Sequence, residues 1–259
     1  MIIKKIIEPL EIIQYLHQIY NDSNPQVIDF FLKNKKDFMA KNSNLSLYCI
    51  YENDKLISSF EANELSSYPV PVVEKNVLFL TSFNVIDNYK NNIDFMEIIN
   101  KILTELKEKY DEILLLSSPF NDNMNVIFKN LGFAPLLNYE NYLKQSSFWM
   151  YKSFNSSFIK RIPMNFEILR KDNVEKYEVE KIYFKLYANF QEFFHCEVYH
   201  YLNFIKNKFP KSIEIEIIHI SSKKQAIKYG TDFCILMDNK IINPVNLMKL
   251  DVEEYLKII

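Results

Sequence analysis

"NVLFLTSFNVIDNYKNNIDFMEIINKILTELKEKYDEILLLSS", residues 76–118, decides the fold. Its first part, 76–86, opens on an almost continuous apolar run, the pattern of a central strand. In 92–110, Phe95, Ile99, Ile102, Leu103, Leu106 and Tyr110 recur every three or four residues and give a helix one apolar face. "EILLLSS" (112–118) is a short apolar run typical of a parallel strand buried on both sides. Strand, helix, strand in this order predicts a right-handed parallel crossover.

Upstream, "PLEIIQYLHQIY" (9–20) reads as an amphipathic helix with Pro9 in its first turn. "PQVIDFFLKNKKDFMA" (25–40) reads as a second, with Val27, Phe30, Phe31 and Phe38 inward. "LSLYCIY" (45–51), "ENDK" and "LISSFEA" (56–62) predict a β-hairpin. Downstream, a helix at 122–130 stops at Gly132, and strands follow at 134–143 and 147–154. The order is α–α–β–β–β–α–β–α–β–β.

After a connector at 154–165, the pattern predicts a strand at 166–170 and a helix at 174–194, with Val179, Ile182, Tyr183, Leu186, Phe190 and Phe193 inward. A shorter helix near 197–208, a strand at 212–220, and strands at 232–238 and 240–247 joined by "DNK" complete the chain. The expected fold class is α/β in the α+β sense. A mixed central sheet flanked by helices occupies 1–154, and a smaller α+β region of unassigned role occupies 160–259. No repeat relates the two.

The 259 residues, 48% hydrophobic, suffice for a large core, and 21 Phe with 17 Tyr make it rich in ring packing. A formal net charge of −2 gives no nucleic-acid footprint. No apolar run reaches the length of a membrane span, and "MIIKKIIEPLEII" is broken by Glu8, Pro9 and Glu11, a poor signal peptide. Cys49, Cys196 and Cys234 are odd in number and far apart, which fits buried free thiols in a reducing cytoplasm. Gly132 and Gly230 are the only glycines, so the P-loop and the dinucleotide fingerprint are both excluded.

The order in 1–154 resembles the GNAT N-acyltransferase fold. "NDNMNVIFKNLGF" (121–133) is similar to that family's fourth-helix signature, with Asn121, Phe128, Gly132 and Phe133 in its places. "VIDNYKNNIDFMEII" (85–99) is similar in register to the family's acyl-CoA pyrophosphate motif. Val85 and Tyr89 match it, Lys90 takes the Arg/Gln position, and Ile93 and Phe95 take two small-residue positions. In that motif the backbone N–H groups of a helix N-terminus cradle the anion, helped by the helix dipole. Here Asp94 puts a carboxylate in the first turn, which suits the dipole by about 0.3–1 kcal/mol and repels a phosphate.

The resemblance implies that Phe83, Asn84 and Val85 present backbone groups to a thioester and its pantetheine arm. It further implies that Lys90, Asn91, Asn92, Asn121 and Phe128 line the cofactor. The implied cofactor is acetyl-CoA or another acyl-CoA, with no metal. Two departures concern the chemistry. Phe128 lacks the hydroxyl of the family's usual Tyr, and Phe79 stands where members that use a base often carry Glu.

Other chemistry-bearing residues read more plainly. In "HCEVYH" (195–200), His195 and His200 are five apart and point in different directions on a helix, so they do not form a metal site. His17 and His219 stand alone as scaffold residues. Ser117 and Ser118 lack a partnering His or Asp and suit a capping role. The lysine pairs 35–36 and 223–224 suit solvated faces, and Trp149 suits a core.

Two expectations follow. One is an acyltransferase moving an acyl group, most simply acetyl, from acyl-CoA to a small-molecule or peptide amine, with 160–259 shaping the acceptor side. The other is a catalytically inactive GNAT-like module that no longer uses CoA and binds a protein partner through its aromatic-rich C-terminal region.

Overall fold

The computed structural model describes residues 1–42, 44–72, 76–85, 93–117, 122–135, 148–154 and 181–249. The chain divides into two compact units, and each is described by itself. The first comprises Met1–Ile19, Lys36–Tyr68 and Val72–Arg161; the second comprises Tyr20–Lys35, Pro69–Pro71 and Ile162–Ile259. Residues 20–35, which the sequence order groups with 1–154, thus belong with the C-terminal region.

The first unit is a mixed α+β structure, with a mixed sheet flanked by helices. Its strands are β1 (Ile2–Ile6), β2 (Ser46–Glu52), β3 (Lys55–Glu64), β4 (Val77–Val85), β5 (Glu112–Ser117), β6 (Ala134–Pro135) and β7 (Phe148–Ser153). They form one sheet in the order β1-β2-β3-β4-β5-β7-β6. Every neighbouring pair is antiparallel except β4–β5, which is parallel as the crossover requires. The helices of the first half of the chain are α1 (Pro9–Ile19), α2 (Pro25–Met39), α3 (Ile93–Lys107) and α4 (Asp122–Asn130).

Alternation along the strands sorts the sheet into two faces. Phe60, Ala62, Leu78, Leu80, Ile113 and Leu115 face the core built with Phe95, Ile99, Ile102 and Leu106 of α3 and Ile127 and Phe128 of α4. Phe79 lies on the other face, against Tyr68, which in turn meets Phe38 of α2. α4 ends as expected: Gly132 takes φ +83°, and Lys152 Nζ donates to the Leu131 carbonyl beside it.

Few glycines remain for tight turns, and Asn and Asp take their place. Asn53 and Asp54 close the β2–β3 hairpin at φ 48° and 63°. Two positive φ values suit the right-handed twist of a hairpin, and Asn and Asp tolerate them better than other non-glycine residues.

The second unit has its own sheet, built from β8 (Ile182–Ala188), β9 (Ile213–His219), β10 (Phe233–Met237) and β11 (Lys240–Ile241) in the order β11-β10-β8-β9. Its further helices are α5 (Phe193–Lys208), α6 (Lys223–Tyr229) and α7 (Pro244–Lys249). β8 and β9 are parallel and joined through α5. Asp238 and Asn239, at φ 47° and 67°, make the β10–β11 turn as Asn53 and Asp54 make theirs.

Several expectations need correction here. The helix placed at 174–194 is replaced over 182–188 by strand β8. Ile182, Phe184 and Leu186 lie on one face of β8, while Lys185 and Tyr187 on the other are also buried. Burial on both faces erases the period of two, and the spacing of 179, 182, 186 and 190 then imitates a helix. Residues 166–170 lie outside the described residues. The strand at 240–247 stops at Ile241 and gives way to α7, with Pro244 at its first position.

Strand β1 is an addition, as is α6. The latter carries a Ser-x-x-Gln start: Ser222 Oγ accepts from Gln225 N at 3.3 Å, and Gln225 Oε1 accepts from Ser221 N at 2.9 Å. Gly230 closes it at φ 67°. Ser222→Ala is expected to cost about 1 kcal/mol, read as a lower urea midpoint at an unchanged m-value.

Candidate functional site

The site begins where the parallel strands part. β4 and β5 pair from Val77↔Glu112 to Leu80↔Leu115 and no further. β4 continues to Val85 on its other neighbour, with Thr81 opposite Glu61, Asn84 opposite Ser59 and Val85 opposite Ser58. β5 continues likewise on β7, with Leu116 opposite Trp149 and Ser117 opposite Phe148. Each strand thus follows a different partner, and a fork opens between their carboxyl ends.

The cause is local. The register of β3 and β4 shifts between Ser59 and Glu61, so that Ser82 and Phe83 together oppose Phe60. A bulge of this kind bends its strand and raises its twist, and it falls where the β4–β5 pairing ends. Beyond Leu80, the β4 backbone groups on the β5 side are not used by β5. An extended chain carrying amides can pair with such an edge.

Four of the eight residues expected at the site are described, and the fork brings them together. Phe83, Asn84 and Val85 lie on the length of β4 beyond its pairing with β5. Phe83 stacks on Phe60 at 5.1 Å and meets the edge of Phe128 at 5.2 Å. Phe128 also meets Phe133 at 5.9 Å and is buried. It is therefore a wall of the fork, with no proton to give. The Asn84 carbonyl accepts from Ser58 Oγ at 2.8 Å, which fixes this part of the strand. Lys90, Asn91, Asn92 and Asn121 lie outside the described residues, as do Tyr89 and Ser118.

Phe95 turns into the core with 0% exposure. The side chain that replaces a small residue in the motif is thus spent on packing.

The opposite face of the sheet carries residues that the sequence reading missed. Ser59, Glu61 and Asn63 of β3 and Thr81 of β4 are all buried there. Thr81 Oγ1 donates to Glu61 Oε2 at 3.2 Å and accepts from Asn63 Nδ2 at 3.3 Å. Thr81 is also the first residue of β4 beyond the β5 pairing. In sequence, "SFEAN" alternates as an ordinary half-solvated strand does. Only the sheet order shows that β3 is internal and that its polar side is buried.

In the second unit, His195, Cys196, Glu197 and His200 all lie on α5. His195 is buried, donates from Nδ1 to the Asn189 carbonyl at 2.8 Å and stacks on Phe233 at 4.2 Å. Burial holds its pKa down at about 3, so it stays neutral. His219 packs its ring on Phe190 at 4.9 Å. Cys49, Cys196 and Cys234 are free and buried, and burial pushes all three thiols up. Among the described residues, no three His, Cys, Asp or Glu side chains gather to hold a metal. Among the same residues, no helix is long and apolar enough to cross a membrane.

No family model and no curated protein matches the chain. Solved structures do align with it. One is a probable acetyltransferase from Staphylococcus epidermidis, at 17% identity and TM-score 0.40, over 60% of this chain and 99% of that one. Another is the N-acetyltransferase PseH of Campylobacter jejuni, at 10% identity and TM-score 0.41, over 59% and 99%. A third is the PaiA N-acetyltransferase of Thermoplasma acidophilum in complex with coenzyme A, at 14% identity and TM-score 0.39, over 60% and 100%. At these identities and scores the likenesses carry no conclusion about substrate or mechanism.

Proposed function

We propose that the first unit is an N-acyltransferase that takes an acyl group, most simply acetyl, from an acyl-CoA and gives it to an amine. The fork between β4 and β5 carries this reading. The pantetheine arm is a thin extended chain with two amides, and it pairs along β4 beyond Leu80, where the pairing with β5 has ended. That places the thioester carbonyl against backbone N–H groups near Phe83 and Val85. Such donors polarise the carbonyl and favour the oxyanion that forms on attack. The ring wall of Phe60, Phe83 and Phe128 excludes water from the acyl end and holds it for direct attack. The sequence resemblance alone assigns Lys90, Asn91, Asn92 and Asn121 to the cofactor. CoA supplies the activated acyl group and a good leaving thiolate.

Two observations favour the second reading, a GNAT-like binding module without CoA chemistry: Phe95 is committed to the core, and Phe128 has no hydroxyl. One titration separates the readings. With CoA and acetyl-CoA at about 100 times Kd, the protein should gain about 2.7 kcal/mol. At about 2–4 °C per kcal/mol, that is a clear rise in melting temperature. No shift at millimolar ligand would overturn the acyltransferase reading in favour of the binding module.

A further inference from the structure

Resting on the acyl-transfer reading, we infer that Thr81 and Glu61 form a proton relay, in which the acceptor amine loses its proton to the Thr81 hydroxyl and Glu61 receives it. An amine cannot attack a thioester while it is an ammonium ion, because its lone pair is occupied. A proton acceptor must therefore stand where the amine meets the thioester. Phe79, at the position where a carboxylate is often found, cannot serve. Its cross-strand neighbour is Asn63, and two residues along the same faces of the two strands the pair is Thr81 and Glu61. The carboxylate thus comes from the adjacent strand and reaches β4 through a hydroxyl.

The geometry orients that hydroxyl. A Thr Oγ carries one proton and two lone pairs. The Thr81 proton points to Glu61 Oε2 at 3.2 Å, and one lone pair is taken by Asn63 Nδ2 at 3.3 Å. The second lone pair is left for an N–H at the fork. Asn63, donor to the same oxygen, prevents the hydroxyl from turning its proton away from Glu61. All three side chains are buried, so bulk water does not shunt the path. The relay lies on the face opposite α3, so acceptor and acyl-CoA approach the fork from different sides.

The step balances. The ammonium gives a proton to Thr81 Oγ1 as the hydroxyl's own proton passes to the Glu61 carboxylate. The freed nitrogen lone pair forms the C–N bond, and the carbonyl π pair moves to oxygen. When the carbonyl re-forms, the C–S bond breaks and its electrons leave on the thiolate, which takes the second proton from nitrogen. Glu61 then returns its proton by the same route, through the Thr81 hydroxyl to water that enters the fork once the products have left. In this scheme Thr81 touches the acceptor, and Glu61 is a positioning residue that acts through it.

The test compares wild type with Glu61→Gln, Thr81→Val and Thr81→Ser. Thiol release from acetyl-CoA is followed from pH 6 to 10, with putrescine, tryptamine and lysine methyl ester as acceptors and with water alone. Glu61→Gln and Thr81→Val should lose at least 100-fold in kcat near neutral pH, at unchanged KM for acetyl-CoA. Their rates should recover at high pH, where the amine sheds its proton unaided. Thr81→Ser should restore the wild-type profile. Water as acceptor keeps the comparison available should none of the amines be taken. A Glu61→Gln enzyme that binds acetyl-CoA and retains the wild-type rate and pH profile overturns the relay alone. A wild type that shows no acetyl-CoA-linked thermal shift overturns the acyl-transfer reading itself. Should Glu61→Gln fail to fold, Thr81→Val and Thr81→Ser decide the matter.

Discussion

Phe95→Ala is expected to destabilise the protein by about 3–5 kcal/mol and to bring no gain in CoA affinity that offsets it. The residue sits in the first turn of α3, at a position where the resembling motif carries a small residue. It has 0% exposure and belongs to the cluster with Ile99, Ile102, Leu78 and Leu80. Truncation removes the ring's transfer energy and leaves a cavity that helix and sheet cannot both close around. Urea unfolding gives the answer as a drop in midpoint. A variant that kept wild-type stability would show that the ring is not part of the packed core. The first turn of α3 is thus anchored by a core side chain.

Acid should destabilise the second unit through His195, with the effect appearing below pH 6.5. Burial holds this imidazole's pKa at about 3, against its ordinary 6.5. The folded-state value is depressed, so between pH 6.5 and 3 the unfolded chain binds a proton that the native state refuses. Stability is complete above 6.5 and falls on acidification by about 1.4 kcal/mol per pH unit. By pH 4.5 the loss is about 2–3 kcal/mol. The physical obstacle is clear: Nδ1 already donates to Asn189 O, and a second proton would put a charge against the Phe233 ring in a buried site. His195→Gln should be less stable at pH 7 but should show a slope shallower by that amount in unfolding between pH 7 and 4.5. Equal slopes in the two proteins would refute this.

The legibility of the fold followed the packing. The segment 76–118 was readable because two buried strands and one amphipathic helix give three distinct apolar periods. The hairpin at 46–64 was readable because Asn53 and Asp54 are good left-handed turn residues. β1 escaped because it is an edge strand with only Ile6 fully buried, so Lys4 and Lys5 mask its pattern. β8 was misread because both of its faces are covered. At the candidate site, Phe83 to Val85 were named from the family resemblance, and they lie on β4 beyond its pairing with β5. The Glu61–Thr81–Asn63 cluster did not, because it depends on which strand lies beside which. Local periodicity cannot report that two polar residues twenty positions apart will face one another inside a sheet.

Helix α2 belongs to both units, divided between Lys35 and Lys36. Within the second unit, Phe30 packs on Phe190 and Tyr199, and Tyr20 and Phe31 pack on Phe193. A cut of the chain near residue 160 would therefore part the C-terminal region from rings that complete its packing. Tyr20, Phe30 and Phe31 each rest on a ring more than 150 positions further along the chain.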